Sequence, residues 1–176
     1  ETGLLGRVYH FAMEEYYKEN KVPKALGKEE EKEKEKEVKK LVKKAFELES
    51  EKSGKKINIS GFNSLIFNIV CKFIGDTIDF DVKRHNKKEF SDVLSEETLI
   101  TKINGVNFLA YIDRIDKSTD KTNIIDYKTT SSKTNSNINI IDLVTSHESG
   151  YHEIFQILFY CYLYKTKFGS TPILPT

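Results

Sequence analysis

Asp126-Tyr127-Lys128 sets a carboxylate and an ammonium two residues apart in the Ile-rich stretch YIDRIDKSTDKTNIIDYKTT, residues 111–130. In an extended strand residues i and i+2 share a face, so Asp126 and Lys128 are expected to point one way and Tyr127 the other. Asp113 precedes them in VNFLAYIDRID. The turn residues KSTDKT make the two segments neighbours, so Asp113 and Asp126 can converge at one end of a sheet. Two carboxylates there offer the oxygen ligands that Mg²⁺ takes, with water and phosphate completing the octahedron. An ammonium beside them can orient an attacking water and offset charge growing on a phosphate. That is the chemistry of metal-assisted phosphodiester hydrolysis. Taken alone, the triplet reads first as a surface ion pair at a strand end, because 28 Lys+Arg and 27 Asp+Glu make such triplets common.

The elements that must position these groups follow from periodicity. Leu4, Leu5, Val8, Ala12 and Tyr16 recur at helical spacing and predict an amphipathic helix over residues 3–19, broken by Pro23. KEEEKEKEKEVKK is a solvated run in which Glu31–Lys34 and Lys34–Glu37 are attractive i,i+3 pairs and like charges fall four apart. Its apolar stripe begins at Val38 and continues through Leu41, Val42, Ala45, Phe46 and Leu48. KSGKK is a turn. Ser60 can cap a third helix carrying Phe62, Leu65, Ile66, Ile69, Val70, Phe73 and Ile74 and running into the 80s. After Phe90 the period becomes that of strands: DVLSEE, TLITKI, a type I′ turn at Asn104–Gly105, VNFLAYIDRID, then NIIDYKTT. Residues 131–149, rich in Ser, Asn and Thr, predict a mobile flap. YHEIFQILFYCYLYKTKFG is a final helix. The expected class is α/β (α+β), a small mixed sheet flanked by helices with a helical amino-terminal part.

At 176 residues the chain suits one domain, with a helical part over 1–88 and a sheet and helix over 89–176. Its abrupt ends give it the look of a piece cut from a longer protein. A net charge of +1 gives no global nucleic-acid signal, although a local basic surface is compatible with it. Cys71 and Cys161 sit in apolar runs and read as reduced core thiols; no CxxC suggests zinc or iron–sulfur binding. With no signal peptide and no uninterrupted apolar span, a cytoplasmic location and no membrane partner are expected.

The block GVNFLAYIDRIDKSTDKTNIIDYKTT resembles the G…DRID…DYKT block of RecB-type nucleases in the PD-(D/E)xK superfamily. That group includes the RecB and AddB nuclease domains and the CRISPR-associated RecB-like exonucleases. GRVYHFAMEEYY is similar to the group's amino-terminal helix, and QILFY to its Q-x₃-Y helix. The resemblance implies a restriction-endonuclease-like core. It also implies a Mg²⁺ or Mn²⁺ site held by His10, Asp113, Asp126 and the backbone carbonyl of Tyr127. Lys128 is then the catalytic cation, with Gln156 and Tyr160 contacting phosphate or lysine. The implied partner is DNA, with a helicase subunit or helicase domain in the parent protein. The implied role is an exonuclease module of a bacterial helicase–nuclease in recombination and double-strand-break repair. The cysteines of the iron–sulfur subgroup are absent, and no GxxxxGK[ST] phosphate loop is present.

The residues themselves bound these roles. His10 falls opposite Val8 and Ala12, on the polar side of its helix. Gln156 and Tyr160, four apart, stack on one helix face. Asp116 is expected to cap the turn after its strand, and Arg114, opposite Asp113, to make a structural ion pair. Glu96 is open between a carboxylate supporting or extending the metal site and an edge-strand charge. His85, His147 and His152 have no evident partner. The competing functions are a catalytically inactive nuclease fold that binds DNA or scaffolds a complex, and an interaction module on the charged helix of residues 28–52, whose apolar stripe is too short for a sustained coiled coil.

Overall fold

A computed structural model of the chain describes residues 3–20, 22–23, 28–129, 139–145, 149–169 and 171–176. It divides into two compact units, Glu1–Asp92 and Val93–Thr176. No helix among the described residues is long and apolar enough to cross a membrane.

The first unit is three helices, α1 (Leu4–Glu19), α2 (Lys28–Ser53) and α3 (Phe62–Asn86), each packed on the other two. The expected stripes are largely the buried ones on α1 (Val8, Ala12, Tyr16) and α2 (Val38, Leu41, Val42, Ala45, Phe46). On α3 only Ile66, Val70 and Ile74 of the expected stripe are buried, while Phe62, Leu65 and Phe73 are exposed. The charged run at the start of α2 makes the i,i+3 pair Glu33–Lys36 at 2.7 Å. Lys34, expected to pair within its helix, instead reaches Asp79 on α3, a contact that only folding creates. A buried chain of polar contacts secures α3. Tyr17 donates to Asp81, which also receives Arg84 Nη1 at 3.1 Å, and Arg84 Nε meets Glu89 at 3.2 Å. The cap of α3 differs from expectation. Gly61, at φ +54, is the N-cap, and Ser60 contributes its carbonyl to the Asn63 N–H rather than a hydroxyl cap.

The second unit is built on β1 (Asp92–Ile103), β2 (Val106–Lys117), β3 (Thr122–Ile125), α4 (Ile140–Thr145), α5 (Ser149–Phe168) and β4 (Ile173–Pro175). The sheet order is β1-β2-β3-β4. DVLSEE and TLITKI form one continuous strand, with Glu96 in the left-handed region at φ +51. Asn104 and Gly105, at φ +48 and +86, make the turn that the Asn-Gly pair specifies. β2 pairs antiparallel with β3, from Arg114 opposite Ile125 to Lys117 opposite Thr122. β3 pairs in parallel with β4, making the sheet mixed. Leu99, Ala110, Ile112, Ile115, Ile124, Leu163 and Tyr164 form the core, with α5 packed on β2, β3 and β4.

Several local expectations are corrected here. β3 ends at Ile125, so Asp126, Tyr127 and Lys128 follow the strand rather than lie in it. Asp116 does not cap a turn. It is 1% exposed and takes Arg114 Nε at 2.6 Å, the ion pair expected of Arg114. The turn is closed instead by Ser118, whose backbone N–H donates to the Lys121 carbonyl at 2.9 Å and whose hydroxyl accepts the Lys121 N–H. Within the expected flap of 131–149, Ile140–Thr145 is helical and buries Leu143. Residues 131–138 and 146–148, His147 among them, lie outside the described residues. Cys71 and Cys161 are half-buried free thiols.

Candidate active site

The site of the second unit gathers where β2 passes the end of β3. Asp113, half-buried on β2, accepts the backbone N–H of Tyr127 on Oδ2 at 2.7 Å. A side chain thus takes the place of a ladder carbonyl just where β3 stops, which explains why the chain leaves the strand there. Tyr127 is held a second time, through its hydroxyl, by Arg114 Nη1 at 3.3 Å. Arg114 is itself buried and fixed by Asp116. The segment that carries Asp126 and Lys128 is therefore pinned at both its backbone and its central side chain.

Asp126 and Lys128, flanking Tyr127, meet in an ion pair of 2.5 Å. Lys128 Nζ also donates to Gln156 Oε1 at 3.4 Å, and Gln156 Nε2 donates to the Tyr160 hydroxyl at 2.8 Å. The i,i+4 pair on α5 thus continues from the lysine. On the other side of Asp113, Glu96 on β1 presents a carboxylate oxygen within 4.8 Å of an Asp113 oxygen. Two bonds of ~2.1–2.4 Å to one divalent ion span about that distance, and two hard oxygen donors are the chemistry such ions take. The residues present fit a divalent cation. Asp126 stands outside that grouping among the described residues, held against the lysine.

His10 lies on α1 of the helical unit, half-buried, with the Tyr9 ring edge-on at 6.3 Å. His85 packs against Phe90, ring centroids 5.6 Å apart, and His152 is exposed on α5. Two features of the site were not foreseen. The strain at Glu96 has no signal in the sequence, since glutamate rarely adopts a positive φ and such outliers cluster at functional sites. The hold of Arg114 on Tyr127 had a partial one: both follow the Asp residues of the motif, on strands predicted to be neighbours.

A mixed sheet with helices, a carboxylate pair on β1 and β2 and a lysine two residues beyond an aspartate are consistent with a restriction-endonuclease-like fold. The model of the PD-(D/E)XK nuclease superfamily matches residues 1–173, and the chain belongs to that superfamily. No curated protein matches the sequence. Nucleases of this superfamily use divalent metal ions and act on DNA, in keeping with the oxygen donors at Asp113 and Glu96.

Proposed function

We propose that the chain is a Mg²⁺- or Mn²⁺-dependent deoxyribonuclease of the RecB type, acting as an exonuclease. In this proposal it serves as the nuclease module of a bacterial helicase–nuclease in recombination and double-strand-break repair. The observation that carries it is the meeting of the Asp113–Glu96 carboxylates with the pinned Asp126-Tyr127-Lys128 segment. Asp113, Asp126 and the Tyr127 carbonyl would hold the ion, Glu96 would join them, and His10 of α1 would supply a ring nitrogen. A bound divalent ion polarises a phosphate oxygen and lowers the pKa of its water.

The chain's own groups do the rest. Asp126 would be one of the residues that hold the ion, and Lys128 would exchange its pairing with Asp126 for the water and the phosphate, orienting the one and offsetting charge on the other. Gln156, steadied by Tyr160, holds Nζ in place during that exchange. Asp113 is kept in orientation by the Tyr127 N–H, so the chemistry starts from fixed geometry. The test is digestion of linear and circular DNA, single- and double-stranded, with Mg²⁺, Mn²⁺ or EDTA. Cutting of linear substrates with either metal and none with EDTA is expected. Metal-independent cutting, or none at all, overturns the proposal.

A further inference from the structure

The hairpin face that carries Glu96 and Asp113 continues past them. The two-residue Asn104–Gly105 turn sets Ile103 across from Val106. Counting back pairs Lys102 with Asn107, Ile100 with Leu109, Thr98 with Tyr111 and Glu96 with Asp113. Burial follows this count: Leu99, Thr101, Ala110 and Ile112 are buried, whereas Lys102, Asn107, Ile100, Leu109, Thr98 and Tyr111 are exposed. The carboxylates of the last pair, within 4.8 Å, agree with it as well.

From the carboxylates towards the turn, the face therefore presents Tyr111, then the Ile100–Leu109 pair, then Lys102. Tyr111 is 62% exposed, Ile100 58% and Leu109 53%. An apolar and aromatic strip of this exposure on a strand face is unusual without an occupant. Successive rungs stand ~6.6 Å apart, two residues of strand, which is the scale of one nucleotide in an extended chain.

We propose that this strip is a track for single-stranded DNA. One phosphate sits at Asp113 and Glu96, the adjoining base stacks on Tyr111, the next lies over Ile100 and Leu109, and Lys102 meets a phosphate near the hairpin tip. This rests on the nuclease proposal and names its substrate. Charge decides the occupant's orientation. The carboxylate end accepts phosphate only with a cation between, the middle offers nothing to a phosphate, and the far end is cationic. Unpaired bases have faces free to lie on aromatic and apolar side chains; paired bases in a duplex do not.

The test is fluorescence anisotropy with a ~12-nucleotide oligothymidine and with its duplex, in Ca²⁺ to occupy the oxygen ligands. Tyr111→Ala should weaken oligothymidine binding about 5- to 100-fold, the effect of losing one stacked base. Tyr111→Phe should bind like the wild type, duplex affinity should not move, and Phe62→Ala, an exposed aromatic of α3, should have no effect. Wild-type chain that fails to bind the oligonucleotide, Tyr111→Ala that binds it normally, or an equal loss for duplex each overturns the track. If the wild type digests DNA with Mn²⁺ while Tyr111→Ala binds normally, the track falls and the nuclease proposal stands. If nothing is digested yet oligothymidine binding needs Tyr111, the nuclease proposal falls and the track remains a binding surface.

Discussion

Asp113 Oδ2 lies 2.7 Å from the backbone nitrogen of Tyr127, so one carboxylate both faces Glu96 and fixes the segment carrying Asp126 and Lys128. These two duties separate by substitution. Asp113→Asn keeps an oxygen for the Tyr127 N–H and loses the charge. Its melting temperature should stay within about 3 °C of the wild type, a change of no more than ~1 kcal/mol. Mn²⁺ affinity by calorimetry should fall at least ~10-fold, since a formal charge leaves the ligand set. Unchanged Mn²⁺ affinity would remove Asp113 from the metal site.

Arg114 and Asp116 are each 1% exposed and 2.6 Å apart. Removing one partner leaves the other charge buried, which costs about 3–5 kcal/mol. Arg114→Ala should therefore shift urea unfolding by that amount. Tyr127→Phe, which loses one hydrogen bond at the edge of the same network, should cost about 1 kcal/mol. Equal effects of the two substitutions would contradict the buried pair as the anchor.

Burial pushes the thiols of Cys71 and Cys161 up to about 11. At neutral pH each then holds ~100-fold less thiolate than an ordinary cysteine, so iodoacetamide should modify the folded chain far more slowly than the urea-unfolded chain. Because the folded pKa values exceed the unfolded ones, the native state keeps this contribution in full below pH 9 and loses it as pH rises from 9 to about 11. Burial first, and then the nearby charges of Glu37, Asp81 and Asp79, push Tyr16 up to about 12, extending the loss through that range. Urea midpoints measured at pH 8, 9.5 and 11 should fall in that order; a flat profile would contradict the burial of these groups.

Much of the fold was legible because its signals are local. Three-and-four spacing marks the buried faces of α1 and α2 and part of that of α3, and Asn104–Gly105 specifies its turn through the left-handed φ of both residues. The candidate site was legible in part. The Asp126–Lys128 proximity and the shared helix face of Gln156 and Tyr160 follow from residue type and spacing, whereas the approach of Lys128 to Gln156 was implied only by the resemblance, as one of two options. What escaped depends on contacts between distant segments. β3 stops at Ile125 because a side chain from β2 takes the next backbone donor, and no periodicity within NIIDYKTT encodes that. Asp116 looks like a turn cap by sequence and becomes a buried partner of Arg114 because β2 runs further than its polar end suggests. Lys34 leaves its own helix for Asp79, 45 residues away. The helix Ile140–Thr145 is short, and its surroundings of Ser, Asn and Thr mask it.

The central claim is that Lys128 serves bond breaking rather than pairing on a surface, and single-turnover cleavage of linear DNA with Mn²⁺ tests it most directly. Lys128→Ala should cut ~10²-fold more slowly or worse, the scale of losing one positioned charge in the transition state. Mn²⁺ affinity and DNA affinity should change little, since one cation among many gives a modest share of phosphate binding. If the wild type cuts and Lys128→Ala cuts equally fast, the 2.5 Å contact with Asp126 is a surface ion pair and the account is wrong.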